Sequence, residues 1–325
     1  MNLYDIIRMT KIDNFSHLPD EIKNSTLTRE MVYICICGYS AVTIQHLMGL
    51  LLLYNAKNNL PNQRLLAINI AIVEMMCGCN SVISSSALLA GLFKKYWIAA
   101  VFFETLLETE IRLTVLHIIF DRFLEIYSNV KYPVYMPSVR MKNLVLALWM
   151  VSGILATTNT IIAKSTGFLI TGKFFAKSIL ILDITILVSS VVTYLHFYKT
   201  VQKIKRLESI TNSQPQASAI SLINKKFKLP CYIVLTYLLF NFTSMVIFTA
   251  TRYNLGHESR TILIAAAHIQ RMLGFFSDGF IYVFANKNVR ELLGSTFKFR
   301  SPRVSGETNT KHIARGTSGF YVNRN

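Results

Sequence analysis

Away from their ends, the long apolar stretches of this 325-residue chain hold three basic side chains, Arg112, Arg122 and Arg271. They share those stretches with acids that include Glu74, Glu104, Glu108, Glu110, Asp121, Asp183 and Asp278. A charge at the centre of a bilayer costs about 2.5–3.5 kcal/mol on insertion scales, so such groups face a protein interior, where they pair, hold ligands or relay protons. Their spacing is ordered. At about 100° per residue, Glu104, Glu108 and Arg122 lie on nearly one helical face. Glu104 and Arg122 are 18 residues apart, or about 27 Å at helical rise. Arg271, Phe275, Asp278 and Tyr282 recur at i, i+4, i+7 and i+11 and form a second stripe. Internal pairing accounts for part of the set, Glu108 with Arg271 and Glu110 with Arg112. Glu104, Glu108, Asp183, His268 and Arg271 are also the set that would hold a charged ligand. Glu110 points about 120° or more away from the Glu104 stripe. His46 and His117 stand alone in apolar segments, which fits hydrogen-bonded packing. No Gly-x-Ser-x-Gly, no His-Glu-x-x-His and no Cys/His cluster occurs, so the residues argue against an enzyme, a bound metal and a cofactor.

The elements that position these groups follow from composition. Hydrophobic residues make up 52% of the chain, charged ones 16%, and the mean hydropathy is +0.40. These values exclude an ordinary soluble domain and a disordered chain. The five cysteines all lie in apolar runs and say nothing about redox compartment. Seven segments are long enough to cross about 30 Å of hydrocarbon as helices. They are 31–54, 64–92, 97–127, 141–163, 178–202, 229–251 and 261–285. The fold class is therefore an all-α membrane protein, a seven-transmembrane helix bundle spanning 31–285. A short amphipathic eighth helix follows at 286–300, with Val289, Leu292, Leu293 and Phe297 on one side. Residues 203–228 read as a polar linker, and 301–325 as a disordered tail.

Charge orients the bundle. The pieces on one side of seven spans carry 20 basic and 3 acidic residues, and those on the other carry 11 and 6. Positive-inside places the N-terminal segment 1–30 outside and the C-terminus in the cytosol. The glycosylation sequons at Asn14 and Asn24 fall on the same outer side. The net charge of +17 thus faces anionic lipid at the inner membrane surface, and nucleic acid is not a partner.

Four motifs, in order, resemble those of a rhodopsin-like G-protein-coupled receptor. Asn69 and Glu74 in Leu66–Glu74 are similar to the family's Asn-Leu-Ala-x-Ala-Asp. Asp121-Arg122-Phe123 resembles Asp-Arg-Tyr at the end of the third span. Trp149 stands 27 residues after Arg122, at the family's spacing. Asp278-Gly-Phe-Ile-Tyr282 resembles Asn/Asp-Pro-x-x-Tyr. The chain departs from the family as well. Gly279 replaces proline, Ile186 stands where the fifth span usually has proline, and the sixth span lacks Cys-Trp-x-Pro. The usual disulfide has no cysteines, and no acid precedes the sixth span, only Lys225, Lys226 and Lys228. Glu74 is one methylene longer than the usual Asp, which argues against a sodium ion between it and Asp278.

The resemblance implies a plasma-membrane receptor. An extracellular ligand, an amine, a peptide or another polar molecule, would bind at Glu104, Glu108, Asp183, His268 and Arg271. Arg122, paired with Asp121 at rest, would meet a heterotrimeric G protein when the sixth span swings outward, with Tyr194 and Tyr282 closing around it. Asn69, Glu74 and Trp149 would form a mid-membrane polar core with Asp278. Two close carboxylates there imply a shared proton or a bridging cation. Ser and Thr residues of the tail, Ser301 to Ser318, would recruit receptor kinases and arrestin after phosphorylation. The competing reading is an ion- or proton-coupled transporter or channel using the buried acids. It predicts inverted repeats or broken helices in matching halves, and the sequence has neither.

Overall fold

The computed structural model describes residues 26–55, 61–128, 131–166, 168–211, 231–250 and 257–284. Among them the chain is almost wholly helical, without a strand. The long helices are α1 (Thr26–Asn55), α2 (Pro61–Leu89), α3 (Phe93–Ser128), α4 (Ser138–Thr166) and α5 (Phe168–Thr211). They are followed by α6 (231–250) and α7 (His257–Phe284). A single helical turn, Tyr132–Tyr135, lies between α3 and α4.

Local sequence sets several boundaries. Pro61 opens α2, where its missing N–H costs nothing. α2 ends in a Schellman motif. Leu92 N–H donates to Ala87 O at 2.9 Å, Gly91 N–H donates to Leu88 O at 3.1 Å, and Gly91 takes φ +69°. A side chain there would strain the backbone, so Gly91 allows the abrupt turn into α3. The polar-linker expectation for 203–228 is corrected over its first part, because α5 continues as helix to Thr211. Lys199, Lys203 and Arg206 suit a helix emerging from lipid, which hydropathy alone does not extend.

Four helices are long and apolar enough to cross a bilayer, Arg29–Asn55, Arg64–Leu89, Ser138–Ser165 and Lys177–Lys203. The protein is thus an all-α, membrane-embedded chain. Lipid-facing belts are visible as exposed Leu47, Met48 and Leu51 on α1, Met150 and Ile154 on α4, and Val188 and Val192 on α5. α3 is as long as any of these, but its middle carries charges. It packs against α2, α4 and α5 and is buried almost continuously from Thr105 to Arg112. α7 packs against α1 and α6. α3 is therefore the central pillar, and the buried ionisable residues sit where helices surround them on several sides.

The sixth helix is irregular. Residues Tyr237–Phe242 are π-helical. A π-turn widens the helix locally and recurs at functional positions.

Candidate functional site

Three polar layers stack along the bundle. The first is a cavity of about 30 Å³ whose wall includes Glu104, Glu108, His268, Arg271, Asn80 and Cys77. A space of that size holds about two waters, well short of a ligand-sized pocket of roughly 300 Å³ or more. Four of the five expected ligand residues therefore meet at one cavity. Asp183, the fifth, does not line it. It is fully buried and tied to other groups.

Those ties form the second layer. Glu108 pairs with Arg271 of α7 through Oε1 and with Arg112 Nη1 through Oε2, the latter at 2.6 Å. Arg112 Nη1 also donates to the Glu108 carbonyl at 2.8 Å. Its Nε donates to Asp183 Oδ1 of α5 at 2.9 Å, and its Nη2 lies 3.4 Å from Oδ2. Tyr237, the first residue of the π-turn in α6, donates its hydroxyl to Asp183 Oδ1. Two guanidinium and two carboxylate groups thus link α3, α5, α6 and α7 with balanced charge. Such a network tolerates burial only because nearly every donor and acceptor is used. Arg271 also lies 5.3 Å over the Phe275 ring, a cation–π contact.

The expected local pair of Glu110 with Arg112 is not formed. Glu110 instead accepts from Ser152 Oγ of α4 at 2.8 Å, Thr114 Oγ1 at 3.2 Å and Asn69 Nδ2 of α2 at 3.4 Å. Asn69 in turn accepts from Trp149 Nε1 at 2.8 Å. Asn69 and Trp149 therefore bridge α2 and α4, as their positions lead one to expect, and Glu110 completes the knot. A Trp149→Phe exchange leaves the buried Asn69 oxygen without its donor. It is expected to lower stability by about 1–3 kcal/mol, read as a lower unfolding midpoint in lipid nanodiscs.

Glu74 lies in the third layer with His46, which the sequence alone leaves as a packing residue. His46 of α1 reaches Glu74 Oε2 through Nε2 at 2.6 Å. Its signal was its position, a histidine in an otherwise apolar helix.

Toward the C-terminal end of α3, Arg122 is 3% exposed. Its Nε donates to Asp121 Oδ2 at 3.1 Å, and its Nη1 and Nη2 bond Glu125 and Asp121. Asp121 also accepts from the Tyr132 hydroxyl in the turn after α3. Asn62 of α2 donates to Met136 O at 2.9 Å and so fixes that turn. Burial, and then the Asp121 carboxylate, push the Tyr132 phenol above its ordinary range, so it stays a donor. Tyr194 of α5 projects from the bundle with 59% of its surface exposed. The Tyr282 side chain, Asn14, Asn24, the 286–300 helix and the tail lie outside the described residues.

Compared with known proteins, the chain matches no protein-family model and no curated sequence, so the reading of its site stands on its own geometry.

Proposed function

We propose that the protein is a divergent rhodopsin-like, seven-transmembrane receptor of the plasma membrane. In this reading the N-terminus is outside, and the protein passes the binding of a polar extracellular ligand to a heterotrimeric G protein. The observation that carries it is the bonded line from cavity-lining Glu108 through Arg112 and Asp183 to Tyr237 at the π-turn of α6. The line gives an outer cavity a physical hold on the helix that must move for Arg122 to be uncovered. A ligand changes the balance of two states only through its different affinity for them. Here a cationic group entering between Glu104 and Glu108 would compete for a carboxylate that holds two arginines. Arg112 would then turn its fork wholly toward Asp183 and displace the Tyr237 hydroxyl. The small cavity implies that α7 must give way outward as the ligand enters.

The wall carries two acids against one arginine and one histidine, which favours an amine or a peptide with a basic group. Receptor kinases and arrestin are the further partners expected at the tail. The test is a second-messenger assay in transfected cells against a panel of amines and peptides. Glu104→Gln removes a charge-assisted bond worth about 1.5–3 kcal/mol, so the half-maximal dose for an amine should rise roughly 10- to 100-fold. An unchanged dose response takes Glu104 out of the binding site. Ion currents that need no ligand would point to a channel instead.

A further inference from the structure

We propose that the cavity of the first polar layer is a subsite for a primary ammonium group, gripped by α2 as well as by Glu104, and that it refuses a quaternary one. The inference deepens the receptor reading and rests on its placing of the ligand in this cavity. The wall on α2 is a polar stripe. Cys77, Asn80, Ser81 and Ser84 line the cavity at i, i+3, i+4 and i+7, the spacing of one helical face. Hydroxyl side chains in a helix commonly spend their hydrogen on the carbonyl one turn back. Thr43, Thr158, Thr185 and Ser190 do so in this protein, each at 2.7–2.9 Å. Ser81 and Ser84, like the Asn80 amide, make no such bond among the described residues. Their oxygens are left to whatever the cavity holds.

Charge fixes the sign of the guest. Glu108, Arg112, Asp183 and Arg271 sum to zero among themselves. Glu104 adds a further carboxylate to the same wall, so with His268 neutral the cavity is matched by a single positive charge. Hydrogen bonding and size then fix the kind of cation. An ammonium donates through each of its three N–H bonds and accepts nothing. The acceptors that suit it come from two helices, the Glu104 carboxylate from α3 and the Asn80 and serine oxygens from α2. A space of about 30 Å³, enough for about two waters, matches a CH2–NH3+ head. A trimethylammonium head adds three methyl groups and offers no N–H. Quaternary ammonium groups are held in boxes of aromatic rings, whereas the described wall carries one phenyl-type ring, that of Tyr39.

The test uses the full chain in lipid nanodiscs and probes of defined head group. Thermal unfolding is followed against n-butylammonium and its N-methyl, N,N-dimethyl and N,N,N-trimethyl forms, all as chlorides at one ionic strength. A probe that binds the folded state raises the midpoint with concentration, and that rise yields its Kd. The primary amine should bind most tightly, each added methyl should weaken binding, and the trimethyl form should act no differently from sodium chloride. N-acetyl-lysine amide and glycine amide, run beside them, tell a lysine side chain from a peptide N-terminus as the source of the group. Asn80→Leu keeps the shape and removes an acceptor, so it should weaken binding of the primary amine roughly 10-fold or more. Asn80→Asp adds a carboxylate and should strengthen it. Wild type that binds the trimethyl form as well as the primary one, or that binds no ammonium at all, overturns the proposal whether or not any variant folds. An unchanged affinity in Asn80→Leu overturns it too. The receptor reading fails separately, if primary amines bind the purified protein but evoke no second messenger in cells.

Discussion

Replacing Arg112 by methionine is expected to destabilise the bundle by about 3–5 kcal/mol, the cost of breaking a buried ion pair by deleting one partner. Met preserves much of the volume, so the loss is electrostatic. Asp183 would keep only the Tyr237 hydroxyl, and Glu108 would keep only Arg271. A domain's whole stability is roughly 5–15 kcal/mol, so the variant should unfold far earlier and reach the membrane in low yield. Removing the stranded acid should reverse part of the damage. The double variant Arg112→Met with Asp183→Asn is expected to be more stable than Arg112→Met alone, a non-additivity of contacting residues. Unfolding of the four proteins of this cycle in nanodiscs measures it. Strictly additive losses would mean that Arg112 and Asp183 do not act as a pair.

In the proposed receptor, Arg122→Ala is expected to reduce G-protein signalling to background at matched surface expression. Arg122 is buried and is held by acids of its own helix, Asp121 and Glu125. Among the described residues no other helix loses a charged partner when it is removed. Its planar fork of five donors has no equivalent in lysine, so Arg122→Lys should recover little. Tyr132→Phe removes one of the two groups bonded to Asp121 and leaves Arg122 intact. It should raise ligand-independent signalling. Second-messenger output normalised to surface expression decides both cases. Arg122→Ala with full response would remove this end of α3 from the coupling surface.

The sequence reading succeeded where opposite charges or a donor and acceptor stood at matched depths on two spans. Glu108 with Arg271 and Trp149 with Asn69 are such cases. It failed for Glu110 for a geometric reason. Glu110 and Arg112 are two positions apart, and side chains at that spacing point to different sides of a helix. The true partners, Ser152, Thr114 and Asn69, are uncharged and disappear from any search by charge. An isolated acid in a span, such as Asp183, looks like a pocket residue. Its partners come from α3 and α6, and only the packing reveals them. His46, alone in an apolar segment, suits a packing histidine. Its ring does bond locally to Val42, but its far nitrogen reaches an acid on α2 that no spacing rule connects to it. The π-turn in α6 was equally hidden, since Tyr237–Phe242 carries neither proline nor glycine to announce a break.

The consecutive residues Thr236 and Tyr237 bond Asp278 on α7 and Asp183 on α5. Neighbouring side chains on a helix diverge by about 100°, so α6 is clamped from two directions at one height. A rod gripped in this way resists twisting and sliding but can still tilt. The clamp is a fulcrum, and any swing of the N-terminal arm of α6 away from the bundle obliges its C-terminal arm to lean in, so that opening at one end and closing at the other are one see-saw movement.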